Sequence, residues 1–194
     1  MHSIHTKVDA IQNLCRIFIC DLLNFSFWTD EGNEPFRVEY EGKLYSGYWS
    51  LCACLNRAIQ CSIPILDFAA IANLPTEQLR AIFRPTIGSE MPMLEKRLEL
   101  LMEAANLISQ KYGNSFVNVI NQANNSAQNL MNLVMADFPS FNDTAAYHGR
   151  VVSFAKRAQI LVADLWACFE GQSFGKFDDI ETITIFADYR IPQV

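Results

Sequence analysis

Apolar side chains recur every three to four positions along most of the chain, the period of an amphipathic helix. From about Val8 to Leu22 this spacing predicts a first helix, although no clear cap opens it. YWSLCACLNRAIQ (Tyr48 to Gln60) is apolar on nearly every face, which predicts a deeply buried helix ended by Ser62-Ile63-Pro64. Thr76 can cap a short helix through TEQLRAIF that Pro85 closes. MPMLEKRLELLMEAANLISQKYG has Pro92 in its first turn, a stripe of Leu94, Leu98, Leu101 and Ala105, and Gly113 as C-terminal cap. SFVNVINQA and SAQNLMNLVMADF, the second capped by Ser126, predict two more helices, and FPSFND predicts a turn. SFAKRAQILVADLWACFEG (Ser153 to Gly171) predicts a long, nearly wholly apolar helix. The closing DDIETITIFADYRIPQV opens on cap-type residues and runs into Pro192. Against this helical background, FRVEYEGKLYSG (Phe36 to Gly47) sets β-formers either side of Glu41-Gly42 and predicts a short hairpin. The expected fold is mainly α: one helical domain over residues 1–194 with one small β-hairpin.

Composition narrows what such a domain does. Hydrophobic residues make up 51% of the 194 and charged ones 19%, enough for a packed core and too apolar for a disordered chain. Aromatics at 12% suit a core, or flat surfaces that stack planar ligands. A net charge of −6 without any Lys/Arg run excludes wrapping a phosphate backbone, so no intact nucleic acid is expected as partner. A monomeric nucleotide needs only one or two cations. Six cysteines without C-x-x-C spacing, in apolar runs such as LCACL, read as free buried thiols of a reducing compartment. No stretch approaches the ~18 consecutive apolar residues of a membrane helix, and the region before CRIFICDLLNF lacks signal-peptide order. The cytosol is the expected location.

Several site types are missing. GQSFGKF has one residue too few between its glycines for a phosphate-binding loop, and Phe177 follows Lys176 where Ser or Thr is needed. The three histidines, His2, His5 and His148, give neither metal-ligand spacing nor a plausible triad. A histidine-based metal site is therefore not expected.

What remains are charges in apolar surroundings. Lys156, Arg157 and Asp164 interrupt an otherwise apolar helix, and Arg157, Leu161, Asp164 and Cys168 share one face. Buried charge is costly unless paired. These residues are therefore either an Arg157–Asp164 ion pair (or charges paired with other segments), or a charged pocket floor for a polar, anionic ligand. In FADYR, Asp188 follows the apolar ITIF and precedes Tyr189 and Arg190. It is either a cap or salt bridge to Arg190, or a carboxylate serving as base, nucleophile or electrostatic stabiliser. The aromatic runs NFSFWTD and YSGYWS are core or stacking platforms.

In order, NFSFW, a Tyr-rich hairpin, GYWSLCACLNRA, EMPMLEKR, SFVNVI, NNSAQNLMNLV, FPSF, VSFAKRAQILVADLWACFEG and ITIFADYRIPQ closely resemble the motifs of the queuosine salvage proteins, from about Asp21 to Val194. The resemblance implies a helical fold likened to DNA glycosylases, and hydrolysis of queuosine 5′-phosphate to queuine and ribose 5-phosphate. Queuine then returns to tRNA, and no cofactor is implied. On this resemblance Asp188 lies beneath the sugar, and Lys156 meets phosphate or ribose. Arg157 shares that role or anchors Asp164, which accepts hydrogen bonds from the base or its cyclopentenediol. Phe27, Trp28 and Tyr189 are the stacking candidates, with Arg190 beside them. Family members carry further helical sequence before NFSFW and after FADYR, so the chain reads as a shortened member. Weak turnover and an uncovered Ile185, Phe186 and Ile191 are then expected. The alternatives are an inactive truncated form or a non-catalytic helical protein binding a nucleotide or partner. A nucleic-acid glycosylase conflicts with the acidic charge. The oligomeric state has no signal in the sequence.

Overall fold

Eight α-helices and two short antiparallel hairpins make the fold mainly α, in a computed structural model that describes residues 10–188 and 191. The chain divides into two compact units, Met1–Asn114 and Ser115–Val194.

In the first unit, α1 (Ala10–Leu22), α2 (Tyr48–Gln60), α3 (Phe68–Ile71), α4 (Thr76–Ile82) and α5 (Leu94–Lys111) surround a core of Leu14, Phe18, Leu51, Leu55, Phe68, Leu101 and Ile108. Phe18 and Phe68 meet edge to face at 5.9 Å. The expected hairpin forms between β1 (Arg37–Tyr40) and β2 (Lys43–Ser46) in the register Arg37↔Ser46 to Tyr40↔Lys43. Its two turn residues, Glu41 and Gly42, are both left-handed (φ 49° and 72°), as the twist of a two-residue hairpin turn requires. Two helix starts differ from expectation. Thr76 is the first residue of α4 rather than its cap, a position held by Pro75. Pro92 lies before α5, whose N-cap is the left-handed Met93 (φ 54°).

Arg97, one turn into α5, explains that entry. Its side chain is fully buried, with Nε donating to the Pro92 carbonyl at 2.9 Å. Its terminal nitrogens donate to the carbonyls of Leu23, Phe25 and Ser26. The guanidinium also lies over the rings of Phe25 and Phe27, at 4.3 and 4.8 Å from their centroids. One planar cation thus satisfies the backbone of the NFSF segment, which no helix or strand serves.

None of the six cysteines is in a disulfide; Cys15, Cys20, Cys52 and Cys54 are buried, while Cys61 and Cys168 are exposed. Cys20 and Cys52 stand 4.0 Å apart, sulfur to sulfur. The hydrogen bond with Cys52, together with burial, pushes the Cys20 thiol well above its usual pKa. A neutral, buried thiol is a poor nucleophile.

The second unit contains α6 (Phe116–Ala123), α7 (Ala127–Asp137), β3 (Thr144–Tyr147), β4 (Arg150–Ser153) and α8 (Lys156–Cys168). Phe116, Leu130, Val134, Phe141, Leu161 and Leu165 form its core. The β3–β4 hairpin was not expected from the sequence. His148 and Gly149 (φ 47° and 73°) turn it as Glu41-Gly42 turn the first. Because Ser153 belongs to β4, α8 starts at Lys156, three residues later than the apolar pattern suggested. Its last turn is also less buried than expected: Trp166, Ala167 and Cys168 are exposed.

The cap-type residues near the end serve a different helix from their own. Asp179 accepts from Ser126 Oγ (2.7 Å) and from the backbone N–H groups of Ala127 (2.6 Å) and Gln128 (3.3 Å) at the start of α7. Ser126 itself accepts from the Asn129 N–H, as its expected cap role requires. Burial alone would raise the Asp179 pKa, but these hydrogen bonds outweigh it and hold the carboxyl below its ordinary value. A depressed folded-state pKa stabilises fully above the unfolded carboxylate value, and that contribution is lost as pH falls through the lower folded value. Asp179→Ala should therefore cost about 0.5–2 kcal/mol at neutral pH and flatten the acid limb of a stability–pH curve. Chemical unfolding from pH 7 to pH 2 checks this, and parallel curves for the two proteins would exclude it.

Ile185 and Ile191 are exposed and Phe186 is half-buried. No helix among the described residues is long and apolar enough to cross a membrane.

Candidate active site

The second unit fixes a cation at the start of α8. Ala155, left-handed at φ 49°, turns the chain out of β4 and leaves the first helical N–H groups without an intrahelical acceptor. Asp143 supplies one: both its carboxylate oxygens accept from the Lys156 N–H (3.1 and 3.2 Å), and its carbonyl accepts from the Phe154 N–H at 3.0 Å. From this anchored backbone the Lys156 ammonium reaches Asp188, Nζ to Oδ2 2.8 Å. The two side chains are 30% and 35% exposed. A pair that wet contributes at most about 1 kcal/mol to stability. The pair presents a cation and a carboxylate in contact, each about one-third exposed to solvent.

Gln159, one turn further along α8, is 6% exposed and hydrogen-bonded at both ends of its amide. Its Oε1 accepts from the Thr184 N–H (2.8 Å) and the Thr184 hydroxyl (3.0 Å), and its Nε2 donates to the Phe154 carbonyl (3.3 Å). Residues 183–188 form no helix or strand. Side chains from the first turn of α8 hold that segment at Thr184 and again at Asp188. Neither Asp143 nor Gln159 stood out in the sequence. The available signal for Gln159 was an amide on the apolar side of a helix, three residues from Lys156.

The other candidates are placed differently. Arg157 donates to the Ser140 carbonyl and lies 5.8 Å from the Phe141 ring centroid, bracing the 3₁₀ turn Pro139–Phe141. It does not pair with Asp164 across their shared face; another segment holds it, the second of the pairings the sequence left open. Asp164 is half-buried with no hydrogen-bond donor among the described residues, and burial raises its carboxyl pKa. Phe27 and Trp28 belong to the first unit: the Phe27 ring lies under Arg97, and Trp28 is 77% exposed. Tyr189 and Arg190 lie outside the described residues. The structure thus brings Lys156 and Asp188 together. Among the described residues no group of three or more His, Cys, Asp or Glu side chains could hold a metal ion.

Relatives share this sequence along its length. A family model described as "Queuosine salvage protein" matches residues 4–194. Three proteins named "Queuosine 5'-phosphate N-glycosylase/hydrolase" align with nearly the whole chain. The Schizosaccharomyces pombe protein is 42% identical over 203 residues, covering 100% of this chain and 59% of the relative. The Nematostella vectensis protein is 45% identical, covering 99% and 55%. The Mus musculus protein is 45% identical, covering 100% and 57%. The chain therefore spans somewhat more than half the length of these relatives. With a family match across almost every residue and this level of identity, the chain belongs to the queuosine salvage protein family.

Proposed function

We propose that the protein hydrolyses the N-glycosidic bond of queuosine 5′-phosphate, releasing queuine for return to tRNA. The observation that carries this reading is the 42–45% identity, over essentially the full chain, to proteins that bear that activity in their names. The Lys156–Asp188 contact supports it chemically. Breaking the C1′–N bond builds positive charge on the sugar and negative charge on the departing base, and water then supplies hydroxide to C1′ and a proton to the base. Queuine is a 7-deazapurine, so protonation at N7, open to ordinary purine hydrolases, does not exist for it. More of the barrier must fall to charge stabilisation at the sugar and to recognition of the other base edges.

In this reading the Asp188 carboxylate lies beneath the sugar, stabilising the oxocarbenium-like centre or attacking it, and the Lys156 ammonium meets the 5′-phosphate or ribose. Arg157 braces the turn behind them, and Asp164 accepts hydrogen bonds from the base's exocyclic nitrogens or the cyclopentenediol. For Phe27, Trp28, Tyr189 and Arg190 a substrate-binding role rests on the family resemblance alone, as does the likeness of the fold to DNA glycosylases. Six cysteines without a disulfide fit work in a reducing compartment, the cytosol.

The direct test incubates the purified protein with queuosine 5′-phosphate and follows free queuine by mass spectrometry. Release above the no-enzyme rate is expected, and none would overturn the assignment. Lys156→Ala should raise KM for the 5′-phosphate substrate by roughly tenfold to a hundredfold, the equivalent of about 1.5–3 kcal/mol for a charge-assisted contact, and change KM for the unphosphorylated nucleoside far less. Equal effects on both substrates would move Lys156 away from the phosphate.

A further inference from the structure

A buried side chain links the two backbone segments that carry the charged residues of the site. Asp188 sits on a segment without regular secondary structure, and such a segment holds a carboxylate in place only as well as it is tethered. Thr184, four residues before Asp188, gives both its N–H and its hydroxyl to the same oxygen, Gln159 Oε1. The opposite end of that amide donates to the Phe154 carbonyl, two residues before Lys156. Gln159 therefore joins the backbone leading into Lys156 to the backbone leading into Asp188, from a position almost closed to solvent. A glutamine suits this use because its amide is donor at one end and acceptor at the other, with no charge to desolvate.

We propose that Gln159 is a positioning residue for the hydrolytic site: it sets the distance between the Lys156 ammonium and the Asp188 carboxylate by tethering Thr184, without itself touching the substrate. This rests on the function proposed above. Displacement of a reacting group by about 1 Å costs on the order of a hundredfold in rate. Without the tether, the 183–188 segment would sample such displacements, whereas binding through the phosphate would be largely kept.

The test compares Gln159→Met, close in volume but unable to bond Thr184, with Gln159→Glu, which keeps an oxygen facing it. For Gln159→Met the expected result is a kcat lower by roughly tenfold to a hundredfold, KM within about threefold of the parent, and faster amide hydrogen exchange at Thr184 while the α7 amides keep their protection. Gln159→Glu should recover most of the lost kcat at mildly acidic pH, where a neutral buried carboxyl reproduces the acceptor end facing Thr184 and the donor end facing the Phe154 carbonyl, and lose it as pH rises and the donor proton is gone. Unchanged Thr184 exchange in Gln159→Met overturns the tether, whatever the activity. Faster exchange with kcat intact, or equal losses in Gln159→Met and Gln159→Glu at every pH, overturns the positioning role. Should Gln159→Met fail to fold, Thr184→Val decides from the exposed side, because it removes one of the two bonds and leaves the core untouched; a kcat equal to the parent's then overturns the proposal. No hydrolysis by the parent protein would instead refute the function itself, an outcome told apart by the exchange data, which need no turnover.

Discussion

Asp188→Asn is expected to lower kcat for queuosine 5′-phosphate by at least about 10²–10³-fold, the loss typical when a preorganised electrostatic contact to a transition state is removed. The substitution keeps shape and leaves an amide oxygen able to accept from Lys156, now 2.8 Å from the carboxylate. What disappears is the negative charge that the proposed function sets against the sugar. Because the Lys156–Asp188 pair is about one-third exposed, its loss should change stability by less than about 1 kcal/mol. The two effects are therefore separable: single-turnover release of queuine should collapse while the thermal melt barely moves. Activity above about a tenth of the parent's, with a normal melt, would remove Asp188 from the chemistry.

Arg97→Met should produce the reverse, a large loss of stability that begins far from the Lys156–Asp188 pair in sequence. The side chain is fully buried and serves the carbonyls of Leu23, Phe25, Ser26 and Pro92 while lying over two phenylalanine rings. A buried acceptor left without a donor costs about 1–3 kcal/mol, so four of them, even with some relief from entering water, should cost about 4 kcal/mol or more. Domains have only about 5–15 kcal/mol in hand. The melting temperature should fall by on the order of 10–20 °C. Arg97→Lys should recover little, because one ammonium cannot match a planar fork of five N–H donors. A melt within a few degrees of the parent's for Arg97→Met would show that the NFSF backbone finds its partners elsewhere.

Much of the helical frame was legible in the sequence, because the stripe Leu94, Leu98, Leu101 and Ala105 states its period and the run Tyr48–Gln60 its length and end. The first hairpin was legible for a related reason: Glu41-Gly42 is a left-handed turn set between β-formers. His148-Gly149 carries the same turn signal, but TAAY is weak in β-formers and β3 is exposed along its whole length, so no alternation marked it. Helix starts were misjudged where caps were sought in the wrong place. Thr76 and Pro92 fit the usual rules for a first turn, yet the chain enters α4 and α5 otherwise. For the candidate site, the types of residue were visible and their pairing was not. Spacing put Arg157 and Asp164 on one face, and spacing cannot know that the Ser140 carbonyl offers Arg157 an acceptor. The Lys156–Asp188 contact spans 32 residues, and the Gln159–Thr184 bonds beside it join residues that no motif singles out.

The entries to α5 and α8 share a local geometry. Each passes through a left-handed residue other than glycine, Met93 or Ala155, whose carbonyl accepts from the N–H four residues on, at Arg97 (3.1 Å) or Gln159 (2.9 Å). In each, that same fourth residue sends its side chain back to the carbonyl just before the left-handed one, at Pro92 or Phe154. The count from the turn to the polar side chain is therefore fixed. Inserting one residue into either first turn would rotate everything beyond it by about 100° around the helix axis and swing Arg97 or Gln159 off its carbonyl. Single-residue insertions and deletions should accordingly be much rarer in these two turns than in the hairpin tips, where a longer loop costs little. The two helix entries behave as rulers, and the tips as places where length can vary.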